Sequence, residues 1–331
     1  MKLGALLSQP ATWSELIDTV RLLERMGYDE LWFGDHLYAV FGDPYHPIFE
    51  AWTTLTAWAF VTQRARLGLL VGANTFRHPA LVAKMVTTLD HASGGRAILG
   101  LGGGWFEFEH RAFGIPFGRT PGERLGWLDE AAGVIRDLLD GEAVTFHSER
   151  YELDAARISP LPVQRRLPIM IGGTGERKTL RTVAKYADMW NTAGPPATLR
   201  HQDEVLRAHC AAVGRDPASI ERTVRLRPIV RDAAEDALRV WTDQLARKKV
   251  PPEREHWFSG GTPSQLATLV EQCAEVGFET VIAELISPYD VETIERLATE
   301  VRPLAEARTT SPRPISTSSQ RGLQIDKGAS S

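Results

Sequence analysis

The chain has 331 residues, 43% of them apolar, and a formal net charge of −4 with both signs interspersed. That length buries a large core and suits either two ordinary domains or one large α/β barrel of about 250 residues plus insertions. The small mixed charge excludes the basic field that gathers nucleic acid. No run approaches the roughly 20 continuous apolar residues of a membrane span, so neither nucleic acid nor membrane is expected as a partner.

The opening segment MKLGALLSQPATW has one lysine and an apolar run that stops at Ser8. It is too short for the apolar region of a signal peptide and reads as a strand at 2–7. Leu16, Val20, Leu23 and Met26 recur at helical spacing, which predicts a helix over 13–26 ended by Gly27. A buried strand at 30–33 (ELWF) runs into Gly34, Asp35 and His36. In a barrel, strand C-termini line the mouth, so a titratable pair there is a candidate for proton transfer. A turn capped by Asp35 beside an ordinary loop histidine fits the spacing equally well.

After a helix at 49–62, a strand at 66–71 (RLGLLV) leads to Gly72, Ala73 and Asn74. Small residues at a strand end let a flat ligand approach the backbone, and Asn74 can hydrogen-bond it. A tight turn before the helix start at Pro79 explains the same residues. Helix 79–91 and strand 96–101 follow, and the latter runs into GLGGGW at 100–105. Trp105 stands where a dinucleotide fingerprint needs its third glycine, so that motif fails. Gly102 and Gly103 still argue for close backbone approach, with Trp105 as a flat apolar wall. Glu107, Glu109 and His110 read as the polar start of a helix, because no matching ligand cluster appears elsewhere, and no metal is expected.

From about 105 to 165 the alternation is interrupted by a loop with Gly114, Pro116, Gly118 and Pro121, a helix near 122–140 and a hairpin-like 143–153. This stretch reads as an insertion at one end of the sheet. Strand 168–172 then opens into Gly172, Gly173, Thr174 and Gly175, followed by Glu176, Arg177 and Lys178 ahead of a helix at 176–187. Free N–H groups at a helix N-terminus, with the Thr174 hydroxyl and two cations, make a phosphate cradle. Arg177 stands where the Walker pattern needs glycine, which excludes nucleoside-triphosphate machinery. A plain Gly-rich turn remains the alternative.

A short strand at 188–192, a helix at 197–213, a strand near 221–230 and a helical region from 232 follow. Helix 263–276, strand 279–285 and helix 290–305 complete the pattern. Eight strands favour a closed (β/α)8 TIM barrel over an open doubly wound sheet, with the 105–165 insertion near the C-terminal face of the strands. Residues 1–306 thus form one barrel domain, and 307–331, dominated by Ser, Thr, Pro and Arg, read as a disordered tail. Cys210 and Cys273 lie far apart in helix-like stretches, a usage that suits a reducing cytoplasm.

Taken in order, these segments resemble the luciferase-like monooxygenase superfamily, in its F420-dependent oxidoreductase branch. GYDELWFGDH at 27–36, EAWTTLTAWAFVTQRARLGLLV at 50–71 and FRHPALVAKMVTTLDHASGGRAILGLGGGW at 76–105 carry the resemblance. ERL at 123–125, PIMIGGTGERKTLRTVAKYADMWN at 168–191 and GTPSQL at 261–266 extend it to about residue 305. The resemblance implies a barrel with a tricyclic cofactor at the strand C-termini, F420 or alternatively FMN. It places the active-site histidine at His36, beside Asp35, and a non-prolyl cis peptide near Leu70-Val71 behind the ring. The implied phosphate segment is Gly172–Gly175, with Asn74 and Trp105 near the ring or its side chain. That loop follows the fifth strand, not the seventh or eighth as in many barrels. The family's sugar-phosphate-binding positions have no match here, so that substrate is not carried over.

The implied chemistry is hydride transfer between F420 and a small organic substrate, with His36 as proton donor or acceptor and a homodimeric, cytoplasmic enzyme expected. One alternative is an FMN-dependent monooxygenase using O2 and a separate cofactor reductase, for which the same residues serve. Another is a non-catalytic flavin-binding protein, against which an intact Asp35-His36 argues. A Schiff-base lyase wants a lysine at a strand end, whereas Lys84, Lys178 and Lys185 fall in predicted helices or loops.

Overall fold

The computed structural model describes residues 1–40, 42–250 and 258–310. The eight-strand expectation holds, and the strands close on themselves. β1 (Lys2–Ser8) pairs with β2 (Glu30–Phe33), β2 with β3 (Arg66–Leu69), and β3 and its short continuation β4 (Gly72–Ala73) with β5 (Ala97–Gly102). An antiparallel hairpin of β6 (Val144–His147) and β7 (Glu152–Ala156) stands outside this sheet. β8 (Ile169–Gly172) pairs with β5, and β9 (Met189–Thr192), β10 (Glu221–Leu226) and β11 (Phe278–Ile286) follow in turn. β11 returns to β1 in parallel register from Lys2 opposite Thr280 to Ser8 opposite Ile286, which closes the barrel.

The helices pack around the outside. In chain order they are α1 (Trp13–Arg25), α2 (Ala51–Ala59), α3 (Pro79–Ser93), α4 (Glu107–Phe113), α5 (Pro121–Leu139), α6 (Thr179–Tyr186), α7 (Pro196–Ala212), α8 (Ala234–Arg247), α9 (Pro263–Glu275), α10 (Val291–Arg296) and α11 (Arg302–Thr310). Thr12 with Glu15, and Thr262 with Gln265, form reciprocal caps that satisfy the first N–H groups of α1 and α9. A large apolar cluster joins the strands' outer faces to these helices. A second, smaller one fills the interior: Leu6, Trp32, Leu70, Ile98, Met170, Met189 and Ile282. Trp32 is the largest of these and takes up the space that two glycines leave. A Cβ on Gly68 would lie 2.6 Å from the Trp32 ring, and one on Gly4 would lie 3.2 Å from its Nε1. The barrel is therefore a packed core and not a pore.

The differences from the sequence expectations have local causes. The third strand breaks after Leu69, where the Leu70–Val71 peptide is cis, as the resemblance implied, and pairing resumes at Gly72. The 105–165 stretch is not one insertion. α5 packs between α3 and α6 as the ring helix joining β5 to β8, so the added parts are α4 with its loops and the hairpin. The helix expected from 176 begins at Thr179, and the seventh strand ends at Leu226, ahead of Pro228. The last helical region includes a π turn at Leu297–Val301 and reaches Thr310, past the expected boundary at 306. Residues 311–331, most of the expected tail, lie outside the described residues.

Candidate active site at the C-terminal mouth

His36 lies three residues past the end of β2, with 27% of its side chain exposed. Its carboxylate partner is not Asp35 but Glu109, on α4 and only 2% exposed. Glu109 Oε1 lies 3.0 Å from His36 Nδ1, and its Oε2 accepts the Leu37 backbone N–H at 2.8 Å. A carboxylate only accepts, so Nδ1 carries the proton and Nε2 is left for other partners. The ring is framed edge-on by Trp105 at 5.6 Å and Phe106 at 6.1 Å. Trp105 is 59% exposed, an open indole face beside the histidine.

Asp35 and His36 part because successive residues leaving a strand project to opposite sides. Asp35 is buried and receives both Arg77 amino groups, at 2.7 and 3.0 Å, together with the Ala73 N–H at 2.9 Å. Arg77 also reaches Glu50 at 2.8 Å. Burial disfavours its charge, but Asp35 and Glu50 outweigh that and hold it above the ordinary arginine range. This bidentate network ties the end of β2 to the β4 loop and α2, which is a scaffolding task.

The glycines of GLGGGW make room mainly for protein. A Cβ on Gly100 would run into the Leu69 carbonyl oxygen. Val71, partly open to the mouth, occupies a slot where a Cβ on Gly102 would meet it at 2.6 Å and one on Gly172 at 2.8 Å. A Cβ on Gly72 would approach the Gly100 carbonyl to 2.9 Å, and one on Gly103 would approach Leu125 to 2.9 Å. Backbone and side chains do approach closely here, and the approaching bodies are the neighbouring strand segments and, at Gly103, Leu125 of α5. Leu70 faces the interior plug below.

Asn74 is 1% exposed: its backbone N–H donates to the Gly102 carbonyl and its amide to the Tyr151 hydroxyl at 3.1 Å, leaving Oδ1 without a partner among the described residues. The hairpin thereby roofs this strand end. Next to it, His110 donates from Nδ1 to the Phe106 carbonyl and accepts the Thr75 hydroxyl at Nε2, 2.6 Å away. Burial holds His110 below the usual histidine range, which suits that neutral, locked state.

Gly172, Gly173, Thr174 and Gly175 form the loop between β8 and α6, and residues 174–178 are exposed. Gly173 donates to the Asn191 carbonyl, and α6 has no side-chain cap. An uncapped helix start below an open glycine loop suits a phosphate. Lys178, however, is turned to the Gly122 carbonyl at 2.7 Å.

Sequence reasoning missed Glu109 as a partner of His36 and missed a second group altogether. Arg225 and Arg227 stand two apart on and just past β10, and Glu284 lies on β11. Glu284 Oε2 is 2.7 Å from Arg227 and 3.4 Å from Arg225, and the Ser8 hydroxyl donates to its Oε1. The signal was present as three charges in otherwise apolar strand runs, VRLRPIV and VIAELI. Among the described residues there is no group of three or more potential metal ligands, and no helix is long and apolar enough to cross a membrane.

The luciferase-like monooxygenase family model matches residues 1–290. The uncharacterised protein Rv0953c of Mycobacterium tuberculosis is 32% identical over 174 residues, 53% of this chain and 60% of that relative, so the chain spans about three fifths of its length. The F420-dependent glucose-6-phosphate dehydrogenase of Kineococcus radiotolerans is 27% identical, over 88% of this chain and 92% of that protein. Among solved structures, an F420-dependent secondary alcohol dehydrogenase in complex with an F420-acetone adduct matches with a TM-score of 0.79 at 19% identity. That match covers 92% of this chain and 98% of the other, a likeness of fold.

Proposed function

The chain belongs to the luciferase-like monooxygenase family, and from that premise we propose that it transfers a hydride between coenzyme F420 and a small organic substrate, with His36 as proton donor or acceptor. The observation that carries this proposal is His36 at a barrel-strand C-terminus, its Nδ1 committed to the buried Glu109 and an exposed indole at its side. Catalytic groups of barrels sit at that face.

The residues present fit a tricyclic cofactor with a phosphate. Leu70, Val71 and Gly72, at the break in the third strand, would back the ring. Gly102 and Gly103 shape the floor beside it, Trp105 would form a wall, and Gly172, Gly173, Thr174 and Gly175 would hold the phosphate. Asn74 would act from beneath, through Tyr151. When bound, the reduced deazaflavin supplies the hydride. His36 holds a proton at Nε2 in its charged form and takes one there in its neutral form, and Glu109 fixes which nitrogen does so. Asp35 supports the site through Arg77.

Replacing His36 by alanine is expected to lower turnover by about 10²- to 10⁴-fold while cofactor affinity stays nearly unchanged. Unchanged turnover removes the role. An FMN-dependent monooxygenase is the second candidate, favoured by the family's description; it needs a reductase to deliver reduced flavin. Side-by-side titration of the purified chain with F420 and FMN, each oxidised and reduced, decides between them. Tight FMN binding with no F420 response overturns the deazaflavin assignment.

A further inference from the structure

Above the buried Glu30 the barrel interior holds an apolar plug that includes Ile282, and from that layer toward the mouth the side chains become charged again. Arg225 pairs in register with Ile282, a member of the interior plug, so Arg225 occupies an inward position of β10. Glu284, two residues beyond Ile282 on β11, faces the same way. An arginine at an inward barrel position is costly unless something there uses its charge.

Glu284 answers that charge only through space. Its Oε2 lies 2.7 Å from Arg227 and 3.4 Å from Arg225 Nε, an ion pair in which Nε is out of hydrogen-bond geometry and which leaves the terminal amino groups of Arg225 unused. A third of the Arg225 side chain is open. Among the described residues, no hydrogen bond uses its terminal amino groups, and its Nε is buried without a partner. A guanidinium so placed has its planar fork free for a carboxylate. Going round the barrel, β10 is three strands from β2, where His36 sits, so cation and histidine flank the mouth from roughly opposite sides. The exposed Trp105 and its neighbour Phe106 provide an apolar face beside His36.

We propose that this mouth takes an organic substrate with an apolar or aromatic body and one anionic group, a carboxylate in the simplest case, which Arg225 binds. The inference rests on the oxidoreductase proposal above only in calling that ligand a substrate.

The test uses the purified full chain without cofactor, and calorimetric titration with 2-naphthoate and with its neutral counterpart 2-naphthamide. The wild type binds 2-naphthoate about tenfold or more tightly than the amide. Arg225→Gln brings the two affinities together, with circular dichroism reporting an intact fold. Glu284→Gln, which removes the competing carboxylate, widens the preference, so the two variants move in opposite directions. A wild-type ratio near one, a preference that survives Arg225→Gln, a ratio narrowed by Glu284→Gln, or no binding of either probe overturns the proposal. F420 and FMN titrations of the same samples keep the two ideas apart. A chain that binds neither cofactor yet keeps the Arg225-dependent preference loses the redox assignment and retains the anion site.

Discussion

The two ends of the barrel interior each bury a glutamate, and the two are treated in opposite ways. At the floor, Glu30 is fully buried, its nearest cation is Arg66 at 3.8 Å, and Lys2 is drawn off to Glu221 at 2.8 Å. Burial first, and then the Glu221 charge, push the Glu30 carboxyl up to about 7. At the mouth, burial also opposes ionisation of Glu284, but Arg225, Arg227 and the Ser8 hydroxyl outweigh it and hold that carboxyl below its ordinary range. The lesson is that depth alone does not set the charge; the company of cations does. The floor inclines to neutrality, while the mouth keeps its carboxylate and its arginines charged.

The largest test of this contrast is at the mouth. Arg77→Met leaves Asp35 buried and unpaired, and unfolding stability is expected to fall by about 3–5 kcal/mol, read by urea denaturation. A loss below about 1 kcal/mol, the worth of an exposed pair, would show that the Asp35 network is not buried in effect.

The floor supplies the next. A carboxyl whose folded pKa is raised stabilises the fold fully below its unfolded value and loses that contribution as pH rises through about 7. Wild-type stability should therefore decline between pH 5 and pH 8 by on the order of 3 kcal/mol from this group. Glu30→Gln should flatten that slope and exceed the wild type at pH 8, while differing little at pH 5. Parallel slopes for the two proteins would mean that Glu30 is already charged in the fold. Glu284, whose pKa is lowered, acts on the other limb: its contribution is present above the unfolded pKa and is lost as pH falls.

The smallest expected effect concerns orientation. Glu109→Gln keeps the shape but lets either ring nitrogen of His36 carry the proton, so turnover should fall by about tenfold with a displaced pH profile and little change in KM. An unaltered pH profile would reduce Glu109 to a packing role.

Much of the fold was legible because alternation of short apolar runs with helical periodicity survives in the sequence wherever strands are buried on both faces. The strand break at Leu70–Val71 was invisible to periodicity, since RLGLLV is apolar throughout, and only the family resemblance marked it. The role of α5 was hidden by the irregular loops on either side of it. At the site, position marked the Asp35-His36 pair and the family resemblance singled out His36, but adjacency misled about its partner. Asp35 is one residue away and faces elsewhere, while Glu109, 73 positions on, arrives only through folding. Arg225, Arg227 and Glu284 were legible in principle, as charges interrupting apolar strands, and require the barrel's register before they can be seen as one group.

The seat of Val71 between Gly102 and Gly172 has a consequence for anyone who would re-engineer this mouth. Val71 in the break of the third strand, Gly102 on β5 and Gly172 on β8 share one fixed volume, so they form a single unit of variation. Libraries that randomise them one at a time will return wild type at each, and will misreport the region as immutable. Exchanging bulk among the three together is the route by which the shape of this part of the mouth can be redrawn.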